Sequence, residues 1–246
     1  MDKNYLLSCF AICIVLIYSY TSCHAQVELE DPGIEIPRPK CFTLNEAGLS
    51  VGFGFLGELG FATGNLSAPY FSETEDNSLP IGAALSLNLY SPNSILNFSL
   101  RALYAGGDQY IKLEDQAAVL SYNRLELPLL ARLNFKKDVS STTSFLVQGG
   151  PSYVHYFNSS TSLSEEVQPL SNQHICLTGG IGLEFQYEKT EDGSLIPRSA
   201  IELNYSHPLE SNISPEFNTL SGSFINNAVE TTRMGYINLS VHIYTR

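Results

Sequence analysis

Ile81-Gly82-Ala83-Ala84-Leu85-Ser86-Leu87-Asn88-Leu89-Tyr90, within the segment 79–91, alternates apolar residues with small or polar ones at every step. Side chains on a strand point to opposite faces in turn, so Ile81, Ala83, Leu85, Leu87 and Leu89 share one greasy face. Gly82, Ala84, Ser86, Asn88 and Tyr90 share the other, which is small and polar. The same pattern recurs over 47–62, 95–105, 122–135, 144–157, 174–188, 198–207 and 233–245. Each segment has about the 9–11 residues that a tilted strand needs to cross a bilayer. The connectors alternate long and short. An even number of such strands with that asymmetry predicts an all-β fold: an eight-stranded antiparallel up-and-down transmembrane β-barrel with short periplasmic turns and longer extracellular loops.

Which face points outward is decided by the polar side. No lysine falls inside the eight segments, although soluble sheets commonly place Lys on exposed strands and edges. The small face carries Gly52, Gly54, Gly82, Ala84, Gly150, Gly180 and Gly182, a sensible lining for a narrow lumen. It also carries Glu58, Arg101, Arg124, Glu126, Arg132, Glu184 and Glu202. These carboxylates and guanidiniums are expected to form a structural charge network inside the barrel, because a buried charge is tolerable only when paired and hydrogen-bonded. The apolar face then points into lipid. Phe61, Tyr104, Phe135, Tyr153, Phe157, Tyr187 and Tyr205 fall on that face toward strand ends, where interfacial aromatic girdles belong.

The amino-terminal residues are not part of the barrel. Asp2 and Lys3 precede an apolar run from Tyr5 to Tyr18, followed by Ser22-Cys23-His24-Ala25. This reads as a signal peptide, 1–25, cleaved after Ala25. A membrane-spanning helix competes, but the run is shorter than the roughly 20 residues a span requires. Lipidation of Cys23 is the other competing reading. Residues 26–46, with Pro32, Pro37 and Pro39, form a periplasmic extension without periodicity, and 47–246 the outer-membrane barrel.

The formal net charge is −12, and charged residues make up only 15% of the chain. Nucleic acid is excluded as a partner by the want of a basic surface. The predicted extracellular loops hold Glu73, Glu75, Asp76, Asp108, Glu114, Asp115, Glu165, Glu166, Glu210, Glu216 and Glu230 against Lys112 alone, a net of −10. Such loops suit contact with outer-membrane lipid and glycolipid through bridging divalent cations.

Other motifs give no chemistry. Gly52-Phe53-Gly54-Phe55-Leu56-Gly57 matches the dinucleotide fingerprint in form, but its glycines lie within a strand and no helix pattern follows. His155 and His207 fall on the lipid-facing parity near one rim, where an outer-membrane acyl hydrolase would need a His beside a Ser and an acid. No Ser or acid aligns with either. His174 and His242 point inward at opposite ends, so no metal site is expected, and no cofactor or catalytic residue is assigned.

A proline inside a strand removes a ladder donor and belongs at a bulge, yet Tyr122-Asn123-Arg124-Leu125-Glu126-Leu127-Pro128-Leu129-Leu130-Ala131-Arg132 keeps its outward parity through Pro128. With Gly149-Gly150-Pro151, Gly179-Gly180-Ile181-Gly182-Leu183-Glu184 and the signal ending at Ala25-Gln26, this stretch resembles the PorT-like outer-membrane β-barrel proteins of Bacteroidota. The likeness runs from the first strand to the end of the chain. It departs at His242-Ile243-Tyr244-Thr245-Arg246, where outer-membrane barrels more often finish on an aromatic residue. The resemblance implies an integral outer-membrane barrel, with some members accessory to the type IX protein-secretion machinery, and carries no catalytic residue onto this chain. The reading is therefore a non-enzymatic anchor or secretion accessory with a periplasmic N-terminus. An acyl hydrolase or transferase, and a soluble lipocalin-like barrel, are the alternatives.

Cys9, Cys13 and Cys23 leave with the signal, so Cys41 and Cys176 remain. Strand order puts them about 20–30 Å apart across the membrane, whereas a disulfide needs Cα atoms within about 7 Å. Alkylation of the mature chain with and without prior reduction should therefore give the same masses, with two thiols modified after unfolding. An intramolecular bridge would show that the strand order, or the position of the segment 26–46, is wrong.

Overall fold

The computed structural model describes residues 48–63, 80–90, 95–113, 116–136, 142–162, 164, 166, 168–185, 188–189, 195–214 and 233–245. The predicted signal and extension, and Cys41 with them, lie outside these. The strands are β1 (Gly48–Thr63), β2 (Ile81–Tyr90), β3 (Leu96–Leu113), β4 (Gln116–Lys136), β5 (Thr143–Thr161), β6 (Gln173–Phe185), β7 (Glu188–Lys189), β8 (Leu195–Ile196), β9 (Ser199–Pro208) and β10 (Arg233–Thr245). Eight of them close into an antiparallel barrel in the order β1-β10-β9-β6-β5-β4-β3-β2. The short strands β7 and β8 pair only with each other, inside the connector between β6 and β9.

Register fixes the barrel's shape. From Leu49, paired neighbours lead through Leu89, Phe98, Ala131, Gly149, Gly179, Tyr205 and Ile237 back to β1 at Leu59, ten residues beyond the start. A ten-residue offset at about 3.3 Å each, against eight strands about 4.8 Å apart, tilts the strands by roughly 40°. That tilt gives an interior only wide enough for side chains. Closure also pairs β1 with β10, so no barrel edge is left to recruit another chain.

Burial follows the alternation along every barrel strand. In β2, Ile81, Ala83, Leu85 and Leu87 are exposed, whereas Ala84, Ser86, Asn88 and Tyr90 are buried. The exterior is apolar on all eight strands, with Phe55 78% exposed, Ile81 74% and Ile243 61%. A soluble lipocalin-like barrel would have the opposite arrangement. Of the predicted girdle, Tyr104, Phe135 and Phe157 are exposed, and Tyr153 and Tyr205 are half-exposed on the same face. The side chains of Phe61 and Tyr187 lie outside the description.

One sequence expectation needs correction. The stretch 106–121 is not a long loop: β3 and β4 continue their pairing to Leu113↔Gln116. Gly106-Gly107-Asp108 and the charges at 112–115 obscured the alternation, but a partner strand satisfies these backbone groups as well as a loop in water would. At Pro128 there is no bulge, in keeping with the parity that the sequence holds through it. The β4–β5 ladder passes from Pro128↔Ser152 to Ala131↔Gly149 with unchanged register, and the irregularity lies at Asn123/Arg124. Pro128 costs the ladder a donor and nothing more, since no residue has to be inserted beside it.

Where β5 crosses Leu129 and Leu130, the backbones approach closely. A Cβ at Gly150 would lie 2.0 Å from the Leu129 carbonyl oxygen, whereas one at Gly149 would meet nothing nearer than 3.5 Å. Gly150→Ala should therefore destabilise the folded barrel by about 1–3 kcal/mol, as overpacking does. Gly149→Ala should be near neutral. Urea unfolding in detergent micelles measures both, and equal midpoints would show that the close approach at Gly150 is not real.

Candidate functional site

The interior is where the chain's unusual chemistry lies. All seven charged residues expected in the lumen are buried there: Glu58, Arg101, Arg124, Glu126, Arg132, Glu184 and Glu202. They gather into two groups. Near the rim where β1 begins, hereafter the proximal rim, Arg101 from β3 grips Glu202 from β9 with both terminal nitrogens, at 2.5 Å and 2.9 Å. Arg132 from β4 reaches Glu184 at 2.8 Å and Glu202 at 3.1 Å. Neutral partners complete this group. Arg132 also donates to Asn88 (3.2 Å) and Tyr90 (3.0 Å), and Gln148 donates to Glu202 and to Asn204, both at 2.6 Å. Asn134 donates to Glu184 as well.

The second group lies toward the distal rim. Arg124 pairs with Glu58 across the barrel and with Glu126 two residues along its own strand, the latter at 2.6 Å. Tyr122 donates to Glu58 at 2.8 Å, and the hydroxyls of Thr178 and Ser206 donate to Glu126 at 2.9 Å and 2.7 Å. The Arg124 guanidinium lies 4.2 Å from the ring centre of Tyr236, a further stabilisation of the cation. Leu56, Ala84, Leu103 and Ala105 form a small apolar cluster on β1, β2 and β3. In β3, Leu103 occupies the inward position immediately distal to Arg101, and in β1, Leu56 the one immediately proximal to Glu58.

The distal end is stoppered. Leu170, from the connector after β5, inserts among Leu120, Tyr122, Val154, Tyr156, Cys176, Met234 and Tyr236. It is held there by a strap of two connector segments. Leu170 bridges Ile213, the Ser171 amide donates to the Asn212 carbonyl (2.8 Å), and the Ser214 amide donates to the Pro169 carbonyl (2.9 Å). Asn212 locks the strap to β10, donating to the Met234 carbonyl at 3.0 Å and accepting from its amide at 2.8 Å. Cys176, a free thiol, is buried in this stopper.

The remaining candidates fall apart as chemistry. His174 stacks on Tyr156 in the distal group, and His242 stacks on Tyr244 in the proximal one. Among the described residues no cluster of His, Cys, Asp or Glu could hold a metal ion. His207 is engaged by Tyr205 and Arg233 rather than by a serine. Gly52, Gly54 and Gly57 lie within β1, which removes the nucleotide reading. Sequence reasoning missed the neutral partners Tyr90, Asn88, Gln148 and Tyr236, although their inward parity was readable, and it missed the strap.

No protein-family profile and no curated protein matches this chain. Among solved structures it is similar to Neisserial surface protein A, at 12% identity and a TM-score of 0.43, over 80% of this chain and 97% of that one. It is also similar to Ail, the attachment invasion locus protein of Yersinia pestis, at 10% identity and a TM-score of 0.40, over 81% and 99%. Similarity to the outer membrane protein OprG from Pseudomonas aeruginosa is 11% identity with a TM-score of 0.41, over 80% and 94%. The barrel assignment rests on the chain's own strand order and register rather than on these likenesses.

A buried ion pair is expensive to break because the surviving charge is stranded, typically by about 3–5 kcal/mol. Arg132→Met should therefore lower the unfolding free energy of the micelle-solubilised barrel by about that amount, while the exterior change Leu127→Met stays below about 1.5 kcal/mol. Adding Glu184→Gln to Arg132→Met should restore part of the loss. If the single and double variants unfold together with the parent, the network contributes nothing to stability.

Proposed function

We propose that this chain is a non-enzymatic integral outer-membrane β-barrel, inserted with its N-terminus in the periplasm, that serves as a membrane anchor or as an accessory of the type IX secretion machinery. The observation that carries the membrane part is the reversal of the usual globular pattern. Large apolar side chains cover the exterior of all eight strands while the charges are packed inside. An exterior of that kind is incompatible with water and suited to hydrocarbon, and closure satisfies the backbone as a bilayer demands. The predicted signal peptide supports export. With the N-terminus periplasmic, the proximal rim faces the periplasm and the acidic connectors face outward.

The use of the interior supports a role without catalysis. Its carboxylates are held by guanidiniums, amides and hydroxyls, and Leu170 with its strap stoppers one mouth. Such a lumen is built for rigidity rather than for passage or turnover. Assignment to the PorT-like group, and with it to secretion, rests on the Leu125-Glu126-Leu127-Pro128-Leu129-Leu130 stretch and the glycine motifs of β5 and β6. The two arms of the proposal are separable by experiment. Carbonate-washed outer membranes should retain the mature chain, and protease added to intact cells should cut it in the connectors 162–172 or 209–232. Recovery in the soluble fraction would defeat the membrane assignment. Affinity purification from solubilised outer membranes should bring down secretion-machinery chains, and their absence would leave an anchor without that role.

A further inference from the structure

Asn238, Ser240 and His242 are successive inward residues of β10, and they stand on one wall of the lumen between the two charge groups. Register gives this wall a carboxylate at either end. Asn238 lies between Glu58 of the distal group on β1 and Asn204 on β9, and Ser240 lies beside Glu202 of the proximal group. Asn238 is 1% exposed and His242 0%. Yet neither Oδ1 nor Nδ2 of Asn238 has a hydrogen-bond partner among the described residues, and nor has His242 Nδ1. Buried polar side chains are almost always partnered, so three such atoms on one wall point to a ligand.

The neighbours are already engaged. Glu58 accepts from Tyr122 and twice from Arg124, and Asn204 Oδ1 accepts from Gln148 at 2.6 Å. His242 Nε2 meets Ser240 Oγ at 3.0 Å and stands 4.0 Å from Glu202 Oε2, beyond a direct hydrogen bond. Toward β1 the ring faces bare backbone. A Cβ at Gly54 would lie 2.9 Å from His242 Nδ1, so no side chain of that residue covers the atom. The amide of Asn238 decides the chemistry, since it needs an acceptor for its hydrogens and a donor for its oxygen. An anion would serve only the hydrogens, and Glu58 would repel it. A cation would serve only the oxygen. Water both donates and accepts, and it is small enough for a lumen already crossed by struts.

We infer that ordered water is bound along Asn238, Ser240 and His242, bridging the distal charge group at Glu58 to the proximal one at Glu202. Bound in this way, water is a member of the interior network, and it joins two groups that share no ion pair with each other. Such a bridge requires closure of the barrel and nothing of the membrane or secretion reading.

The test uses the full mature chain refolded in a nonionic detergent and pulsed with X-rays in water labelled with heavy oxygen. Hydroxyl radicals made from bound water attack the side chains it touches, and a dry interior is spared. Oxidation is read residue by residue by mass spectrometry, each rate relative to that of the urea-unfolded chain. His242 should take up the heavy label, whereas Leu146, equally buried on β5, should be fully protected. Equal protection of the two overturns the inference. Asn238 is read separately by nuclear magnetic resonance of the same micelles. Its side-chain amide hydrogens should show cross-relaxation with water that persists in Ser240→Ala. Absence of that signal in the parent overturns the bridge. So does its loss in Ser240→Ala, which would assign the signal to exchange through the serine hydroxyl.

Discussion

Pairing of β1 with β10 is the constraint on which the rest of the molecule depends. Once the sheet closes on itself with a ten-residue offset, strand tilt and lumen width follow, and every inward side chain must fit the same narrow space. Small residues at Gly52, Gly54, Gly82, Gly150, Gly180 and Gly182 meet that demand, because neighbouring backbones and side chains stand where a Cβ would be. The space those glycines leave is filled by a few long polar side chains reaching across the barrel. Closure also satisfies the backbone hydrogen bonds of the outermost pair of strands, without which an apolar exterior could not be placed in lipid.

The interior charges are best understood as the consequence of an apolar exterior. If large aliphatic side chains face outward, the barrel has no hydrophobic core of the ordinary kind, and its middle must be held by something else. Arg101–Glu202 joins β3 to β9, Arg124–Glu58 joins β4 to β1, and Arg132 joins β4 to both β6 and β9. Each is a strut across the lumen between strands that are not hydrogen-bonded neighbours. In so enclosed a space a guanidinium is costly, and neutral acceptors share the load with the carboxylates: Ser99 and Gln148 accept from Arg101, and Asn88 and Tyr90 from Arg132, whose Nε has no partner among the described residues. The distal stopper uses the other solution. Leu120, Val154, Leu170 and Met234 form a conventional apolar cluster there, with Tyr122, Tyr156 and Tyr236 joining it to the charged group beneath.

Among the described residues the lumen is occupied by the barrel's own struts and, toward the distal rim, by the stopper. The strap formed by residues 168–172 and 209–214 ties the connector after β5 to the connector after β9 and to β10. His207 meets Tyr205 and Arg233 on the outer face of β9 and β10, the strand to which the strap is tied.

The amino-acid sequence by itself determined the number of barrel strands, which face points outward, and the identity of the seven buried charges, but not the small β7–β8 hairpin. The reason is that a two-residue period assigns each side chain to one face whatever the strand's neighbours. Tyr90, Asn88 and Gln148 were legible in the same way but lacked any mark that set them apart from other inward residues. Tertiary structure alone decided which guanidinium meets which carboxylate, because shear brings together Arg101 and Glu202, residues far apart in the chain. It also decided that 106–121 is a hairpin and not a loop, since pairing with a partner strand overrode local glycine and charge signals. The strap belongs to the same class, and so does Gly235, where a Cβ would stand 2.9 Å from the Tyr205 ring of the neighbouring strand. Each depends on two segments meeting across a connector, and no periodicity within either segment records that meeting.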